Sequence, residues 1–452
     1  AMEDASGIDL TQFKLWYSQA GTPEVTARSE YDADNRRYTL ILKQAIPKTP
    51  GQDNKQPMHI PVKIGLLNSS GDDMPLMLEG GEGDTEGSLV LNLREPEQSF
   101  IFTDVAEKPV PSVLRGFSAP VKLYQELSEA ELAHLMANDS DGFNRWSAGQ
   151  QLAVGVIQEI MREMDEGVDP QVSPAFISAL AALLDDPALD KAMVAKMLVL
   201  PSEAYLAELQ QPVRVRAIHK AREFVKQALA GDLADRFSTV YESIPLTTRY
   251  EYTSEAVASR ALKNTCLAYL MTDPSAADVA TCMQHYENAT NMTDQMAAFT
   301  ALVHSTAAVK ADVINEFYLQ WQEESLVVDQ WFSVQATAPQ KDTLERVVKL
   351  MDHPAFELTN PNKVRALIGA FCNNNPVNFH REDGKGYEFL ADRIIELNRV
   401  NPQIASRLSG IMSRWRKYEP KLADQMQNAL KRIMAEPLSP DVYEIVHKSL
   451  ND

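Results

Sequence analysis

The chain has 452 residues, 44% of them hydrophobic and 23% charged, and a formal net charge of −20. That length exceeds what one core supports, so two or more domains are expected of an ordinary globular chain. The acidic balance excludes a nucleic-acid binder, which would carry a basic stripe, and no apolar run approaches the roughly 18 residues of a membrane span.

The first residues, Ala1-Met2-Glu3-Asp4-Ala5-Ser6, read as the tail of a helix whose beginning is missing. From Thr22 to Leu123 short alternating runs are broken by turn residues. Tyr38–Lys43 follows the turn Asp32-Ala33-Asp34-Asn35, and Val62–Leu67 precedes Asn68-Ser69-Ser70-Gly71-Asp72. Leu89–Leu93 and Phe100–Phe102 flank Arg94-Glu95-Pro96-Glu97, and Val113–Phe117 and Val121–Leu123 close the series. Strands at this spacing predict a small antiparallel β-sandwich over 22–124.

From residue 125 onward the period is helical. Ser128 with Glu131 forms a capping box, Phe143–Met161 marks a long helix ending near Gly167, and Ser173-Pro174 opens the next. Further helices are expected at 213–230, 254–271, 292–304, 313–322, 343–351, 387–398, 420–434 and 440–449. Helix after helix with no strand between them predicts a large all-α superhelical domain over 125–452, solenoid-like in the manner of HEAT or armadillo repeats. No strict repeat period is visible, so the units are degenerate. Seventeen methionines suit adaptable packing between such units.

Three helix starts follow one another late in the chain: Asn360-Pro361, Asn375-Pro376 and Asn401-Pro402. Asparagine caps helices well, and proline suits the first helical position. After Asn401 a helix running through Trp415 would bury Ile404, Leu408, Ile411 and Trp415. Gln403 and Arg407, four apart, share a face roughly 100° round from that stripe. The helix after Asn360 repeats the arrangement, with Val364, Leu367, Ile368 and Phe371 buried and Arg365 beside them. Arg365, Gln403 and Arg407 are therefore candidates to line a cavity. By spacing alone, surface or inter-helix ion-pair roles stand beside that reading.

Self-contained chemistry is not visible. The eight histidines form no H-E-x-x-H, there is no structural-zinc spacing, and phosphate loop, nucleophile elbow and dinucleotide fingerprint are absent. His380, Glu382 and Asp383 form the richest polar cluster, which reads either as metal ligands or as a glycine-bearing helix connection with solvated charges. The basic run Arg414, Arg416, Lys417 and Lys421 reads as a solvated face. Cys266, Cys282 and Cys372 lack paired spacing and read as buried free thiols of a reducing compartment such as the cytoplasm. No catalytic and no metal-binding residue is therefore assigned.

Several colinear stretches resemble one family, the bacterial aminopeptidase N branch of the gluzincin-type zinc aminopeptidases. Trp16-Tyr17-Ser18-Gln19-Ala20-Gly21-Thr22-Pro23 resembles the W-x-x-Q-x-G-x-P junction after their catalytic domain, and Phe143-Asn144-Arg145-Trp146 the start of their helical domain. Asn291–Asp294, Val328–Phe332, Asn360–Phe371 and Asn401–Leu408 resemble later stretches of that domain.

The resemblance implies a four-domain parent, of which this chain is the C-terminal half: the end of a catalytic-domain helix and a junction (1–21), the sandwich and the helical domain. It implies peptide substrates and a zinc cofactor whose H-E-x-x-H ligands lie upstream, where the metal generates the attacking water and polarises the carbonyl. The G-A-M-E-N loop and the assisting tyrosine of the family also lie upstream, so the chain alone is expected to be inactive. By residue match, Gln403 would border the pocket for the substrate's first side chain. Arg365 and Arg407 would line a closed chamber, where guanidinium groups can bind peptide carbonyls or a carboxylate. The expected partners are peptides and the missing N-terminal and catalytic domains, with no nucleic acid and no membrane, in a cytoplasmic monomer. The rival reading is a free-standing helical-repeat adaptor that holds a protein or peptide in its groove.

Overall fold

The structure is a computed structural model that describes residues 2–81, 87–247 and 249–451. Met2–Ser6 is helical and ends at Gly7, whose φ is +68°; Ala1 lies outside the described residues. The chain divides into two compact units, residues 1–156 with 173–189, and residues 157–172 with 190–452.

The first unit is built on β1 (Glu24–Asp32), β2 (Arg37–Ala45), β3 (Ile60–Leu67), β4 (Met77–Leu78), β5 (Leu89–Leu93), β6 (Glu97–Thr103), β7 (Val110–Val113) and β8 (Lys122–Gln125). One sheet has the order β4-β6-β2-β1-β8 and the other β5-β3-β7. Alternation decides the inward face: Tyr38, Leu40 and Leu42 of β2 and Ile60, Val62 and Ile64 of β3 are all at most 1% exposed. The β1–β2 turn forms because the Asp32 carboxylate accepts from the Asn35 backbone and side-chain amides, at 3.1 and 2.8 Å. The sandwich is antiparallel except where β8 runs parallel to β1.

The expected strand Val113–Phe117 stops at Val113. Leu114 takes a left-handed φ of +65° and Arg115–Phe117 is a 3₁₀ turn, which drives the Arg115 guanidinium inward. The helix Glu129–Asn138 begins with the expected capping box of Ser128 and Glu131 and packs on Pro174–Asp185 and on β7.

The second unit is helical among its described residues. Met292–His304 and Pro420–Met434 coincide with the sequence pattern, and the other expected helices are displaced by one to three residues at their ends. Lys191–Met197, Glu203–Glu208, Ala234–Ser243 and Ala276–Asn288 are helices the pattern did not reveal. The first two are too short to show a period, and Ala234–Ser243 is rich in weak helix formers whose apolar residues, Phe237 and Tyr241, are buried by neighbours. Successive helices pack on one another, Ser254–Leu270 for instance on Lys191–Met197, Ala234–Ser243 and Met292–His304.

Candidate functional site

Arg365 stands on a helix that changes character along its length. Asn360 caps it as expected, its side-chain oxygen accepting from the Asn362 amide at 3.0 Å. Pro361–Val364 is α-helical, Arg365–Gly369 is a π turn, and Ala370–Asn374 is α-helical again. Two side chains occupy carbonyls across the wider turn: Ser333 Oγ donates to Ala366 O and Asn373 Nδ2 to Gly369 O, both at 2.9 Å. Val364, Leu367, Ile368 and Phe371 are each fully buried, which anchors this face and leaves Arg365 exposed. Below it, Lys363 is pinned to Asp329 at 2.8 Å and to Ser325 O at 3.1 Å. The Arg365 guanidinium makes a 3.3 Å bond to Asn362 Oδ1.

Gln403 and Arg407 are both exposed on Pro402–Ser409, one turn apart on one face. Asn401 caps this helix, accepting from the Ile404 amide at 3.3 Å. The helix does not continue through Trp415. It passes into 3₁₀ turns at Gly410–Met412 and Trp415–Lys417, and the buried stripe is Ala405, Leu408, Ser409 and Met412. Gly410 is a poor helix former, and tertiary bonds redirect the chain: Trp415 Nε1 and Arg416 both donate to Ser449 O at 2.8 Å. Among the described residues neither Gln403 nor Arg407 makes a side-chain hydrogen bond or ion pair, and no direct bond joins Arg365 to them.

Asn375 stands at the expected N-cap before Pro376, but its side chain makes no cap bond. Its buried amide donates to Ala336 O and Ala338 O, at 3.0 and 2.9 Å, tying the Pro376–Phe379 turn to the end of the helix Ser325–Ala336.

The helical unit holds a groove of about 1370 Å³. It is bordered by residues of several helices distant in sequence, among them Glu203, His219, Arg222, Lys226, His304 and Asn373, and by none of Arg365, Gln403 and Arg407. Glu203 accepts from His219 Nδ1 at 2.7 Å. Burial alone would lower the His219 pKa, but that bond and the Glu203 charge outweigh it and raise it above 6.5. Arg222 pairs with Glu223 at 3.1 Å. Burial lowers the Lys226 pKa, and among the described residues its ammonium has no ion-pair partner. Burial pushes the His304 imidazole down to about 4 while Nε2 donates to Val334 O at 2.9 Å. None of these residues stood out in the sequence: His219, Arg222 and Lys226 share one helix face but read there as a solvated polar face, and Glu203, His304 and Asn373 come from other segments.

His380, Glu382 and Asp383 do not form a ligand set. His380 is 7% exposed, bonds Tyr387 Oη through Nδ1 at 2.7 Å and stacks on Tyr418. Glu382 pairs with Arg216 and Lys421, and Asp383 with Arg381 at 2.8 Å. Among the described residues no group of three or more His, Cys, Asp or Glu could hold a metal ion. The thiols are buried, which pushes Cys266 and Cys282 up to about 12 and Cys372 up as well, the reverse of a nucleophile's requirement. Arg414 and Lys417 pair with Glu208. Among the described residues no helix is long and apolar enough to cross a membrane.

Comparison with known proteins gives two family matches: residues 21–126 to a domain of unknown function (DUF3458) with an Ig-like fold, and residues 129–451 to a domain of unknown function (DUF3458_C) with ARM repeats. The chain is 39% identical to aminopeptidase N of Escherichia coli (strain K12) over 452 residues, covering 100% of this chain and 51% of that protein. It is 36% identical to aminopeptidase N of Haemophilus influenzae over 451 residues, 100% of this chain and 51% of the relative. For aminopeptidase N of Caulobacter vibrioides the identity is 38% over 449 residues, 99% of this chain and 50% of the relative. The chain thus spans about half the length of the curated relatives it matches, and its likeness is to their C-terminal half. A crystal structure of Legionella pneumophila aminopeptidase A in complex with aspartic acid superposes with a TM-score of 0.84 at 31% identity, over 100% of this chain and 51% of that one.

Proposed function

Since the chain belongs to the family whose C-terminal ARM-repeat domain is DUF3458_C, we propose that it is the non-catalytic C-terminal portion of a zinc aminopeptidase that removes N-terminal residues from peptides. On this reading residues 1–21 end a catalytic-domain helix and form the junction, 22–124 are a rigid spacer, and 125–452 wall a closed chamber that shapes peptide access and specificity. The metal and its ligands belong to polypeptide N-terminal to this chain. Gln403 borders the pocket for the first side chain, while Arg365 and Arg407 hold peptide carbonyls or the terminal carboxylate. The protein acts as a monomer in the cytoplasm, a reducing compartment that suits three buried free thiols.

The observation that carries the site assignment is the state of Arg407 and Gln403. They are exposed, neighbouring and unbonded among the described residues, in a chain whose net charge of −20 offers carboxylates in excess. A guanidinium left free beside a free amide can engage a ligand without first breaking an internal pair.

The test uses the polypeptide that carries this chain together with an H-E-x-x-H segment. Arg407→Ala or Gln403→Ala should lower kcat/KM for peptides by roughly 5–30-fold, the equivalent of about 1–2 kcal/mol for a lost polar or charged contact. Kinetics indistinguishable from the parent at every peptide length would remove these residues from the site. The present chain alone should release no chromophore from aminoacyl chromogenic substrates, and turnover abolished by a chelator would overturn its non-catalytic role.

A further inference from the structure

Beside the groove lies a recess of about 140 Å³. Its walls include Ala207, Val215, Ile218 and Ile411, and its polar groups are His380, Tyr418, Asn373 and Glu203, whose carboxylate is engaged by His219. Glu203, Ala204, Asn373 and Pro376 border both the recess and the groove, so the two adjoin, with the exposed Ala204 at the junction. A hollow of this size is benzene-sized: an apolar cavity of roughly 150 Å³ stays dry and takes up benzene. This one differs by opening onto the groove and by presenting an imidazole beside the Glu203 carboxylate and the Asn373 amide. His380 Nδ1 is occupied by Tyr387 Oη, and among the described residues no protein group bonds its other ring nitrogen. Burial keeps the ring neutral, its pKa pushed down to about 3, so it suits an uncharged partner. The Tyr418 ring, stacked on His380 at 4.8 Å, adds an aromatic surface.

We propose that this recess binds a compact, uncharged aromatic group with one hydrogen-bonding function, a phenol or an indole, either as a free molecule or as the side chain of a peptide lying in the groove. The site is independent of the hydrolytic function proposed above, because none of its walls includes Arg365, Gln403 or Arg407. A seven- to nine-atom ligand of this kind should bind with Kd of about 0.1–1 mM.

The experiment is a saturation-transfer NMR titration of the full chain with phenol, indole and a capped Ala-Tyr-Ala peptide. Binding of phenol or indole supports a free small molecule, and binding of the peptide alone a side chain presented from the groove. In either case Ala207→Leu, which fills the recess, should weaken binding at least tenfold while circular dichroism stays unchanged. Ile411→Ala, which enlarges it, should shift preference toward indole at least threefold and serves if Ala207→Leu fails to fold. No binding of any probe at 10-fold above about 1 mM, or binding that ignores both substitutions, would overturn the proposal.

Discussion

Arg115 has five N–H donors, and the fold satisfies every one. Nε donates to Ser112 Oγ at 3.0 Å, one terminal nitrogen to Gly87 O and Ser88 Oγ, and the other to Asp73 and Asp139 at 2.6 and 2.8 Å. A buried charge is tolerable only on such terms. The geometry also fixes Gly65: a Cβ built there would stand 2.1 Å from the guanidinium carbon. Gly65→Ala should therefore destabilise the chain by about 1–3 kcal/mol through overpacking. Arg115→Met, which strands the Asp139 carboxylate, should cost about 3–5 kcal/mol. Urea denaturation measures both, and a Gly65→Ala midpoint equal to that of the parent would show that the guanidinium is not held as described. In the sequence Arg115 read as the middle of a strand. Its inward turn depends on a left-handed Leu114, which nothing local demands.

At the scale of the element, the helix bearing Arg365 shows which features a sequence can carry. Its apolar stripe and Asn360 cap were legible because both are local: four apolar residues at helical spacing and one side chain bonding the next turn. The π turn was not, because Ser333, which takes the Ala366 carbonyl, comes from another helix. The helix start at Asn375-Pro376 was legible too, but the use of the Asn375 side chain was not, for the same reason: its amide serves the Ala336 and Ala338 carbonyls at the end of a helix far earlier in the chain. Position in this element rests on Lys363, whose ammonium bonds Asp329 with side-chain exposures of 8% and 15%. Lys363→Met alone should cost about 3 kcal/mol by leaving Asp329 uncompensated, whereas Lys363→Met with Asp329→Leu should recover most of that loss. Thermal or urea denaturation of the three variants completes the cycle. A double variant no more stable than Lys363→Met would mean that the pair does not act as a unit.

Across the whole chain, the change of period near residue 125 marks the two architectures in the sequence itself, since strand and helix periods, 2 and 3.6, are distinct. The groove stayed hidden because its walls come from helices far apart in sequence; even the polar face His219, Arg222, Glu223 and Lys226 of one helix reads, taken alone, as a solvated face. Net charge, by contrast, is a whole-chain property the sequence states outright. At −20 with a pI near 4.9, the chain at pH 7 repels itself, since 63 acidic residues face 43 lysines and arginines. Self-repulsion acts over a screening length that falls from about 30 Å at 0.01 M salt to about 8 Å at 0.15 M. Raising sodium chloride across that range at pH 7 should thus raise the melting temperature, by roughly 2–4 °C if about 1 kcal/mol of repulsion is relieved. Near pH 5, where the net charge is close to zero, the same salt step should leave it unchanged or lower it by weakening exposed ion pairs such as Arg214–Asp165. A melting temperature that falls with salt at pH 7 would show that attractive pairs, not the net charge, dominate the chain's electrostatics.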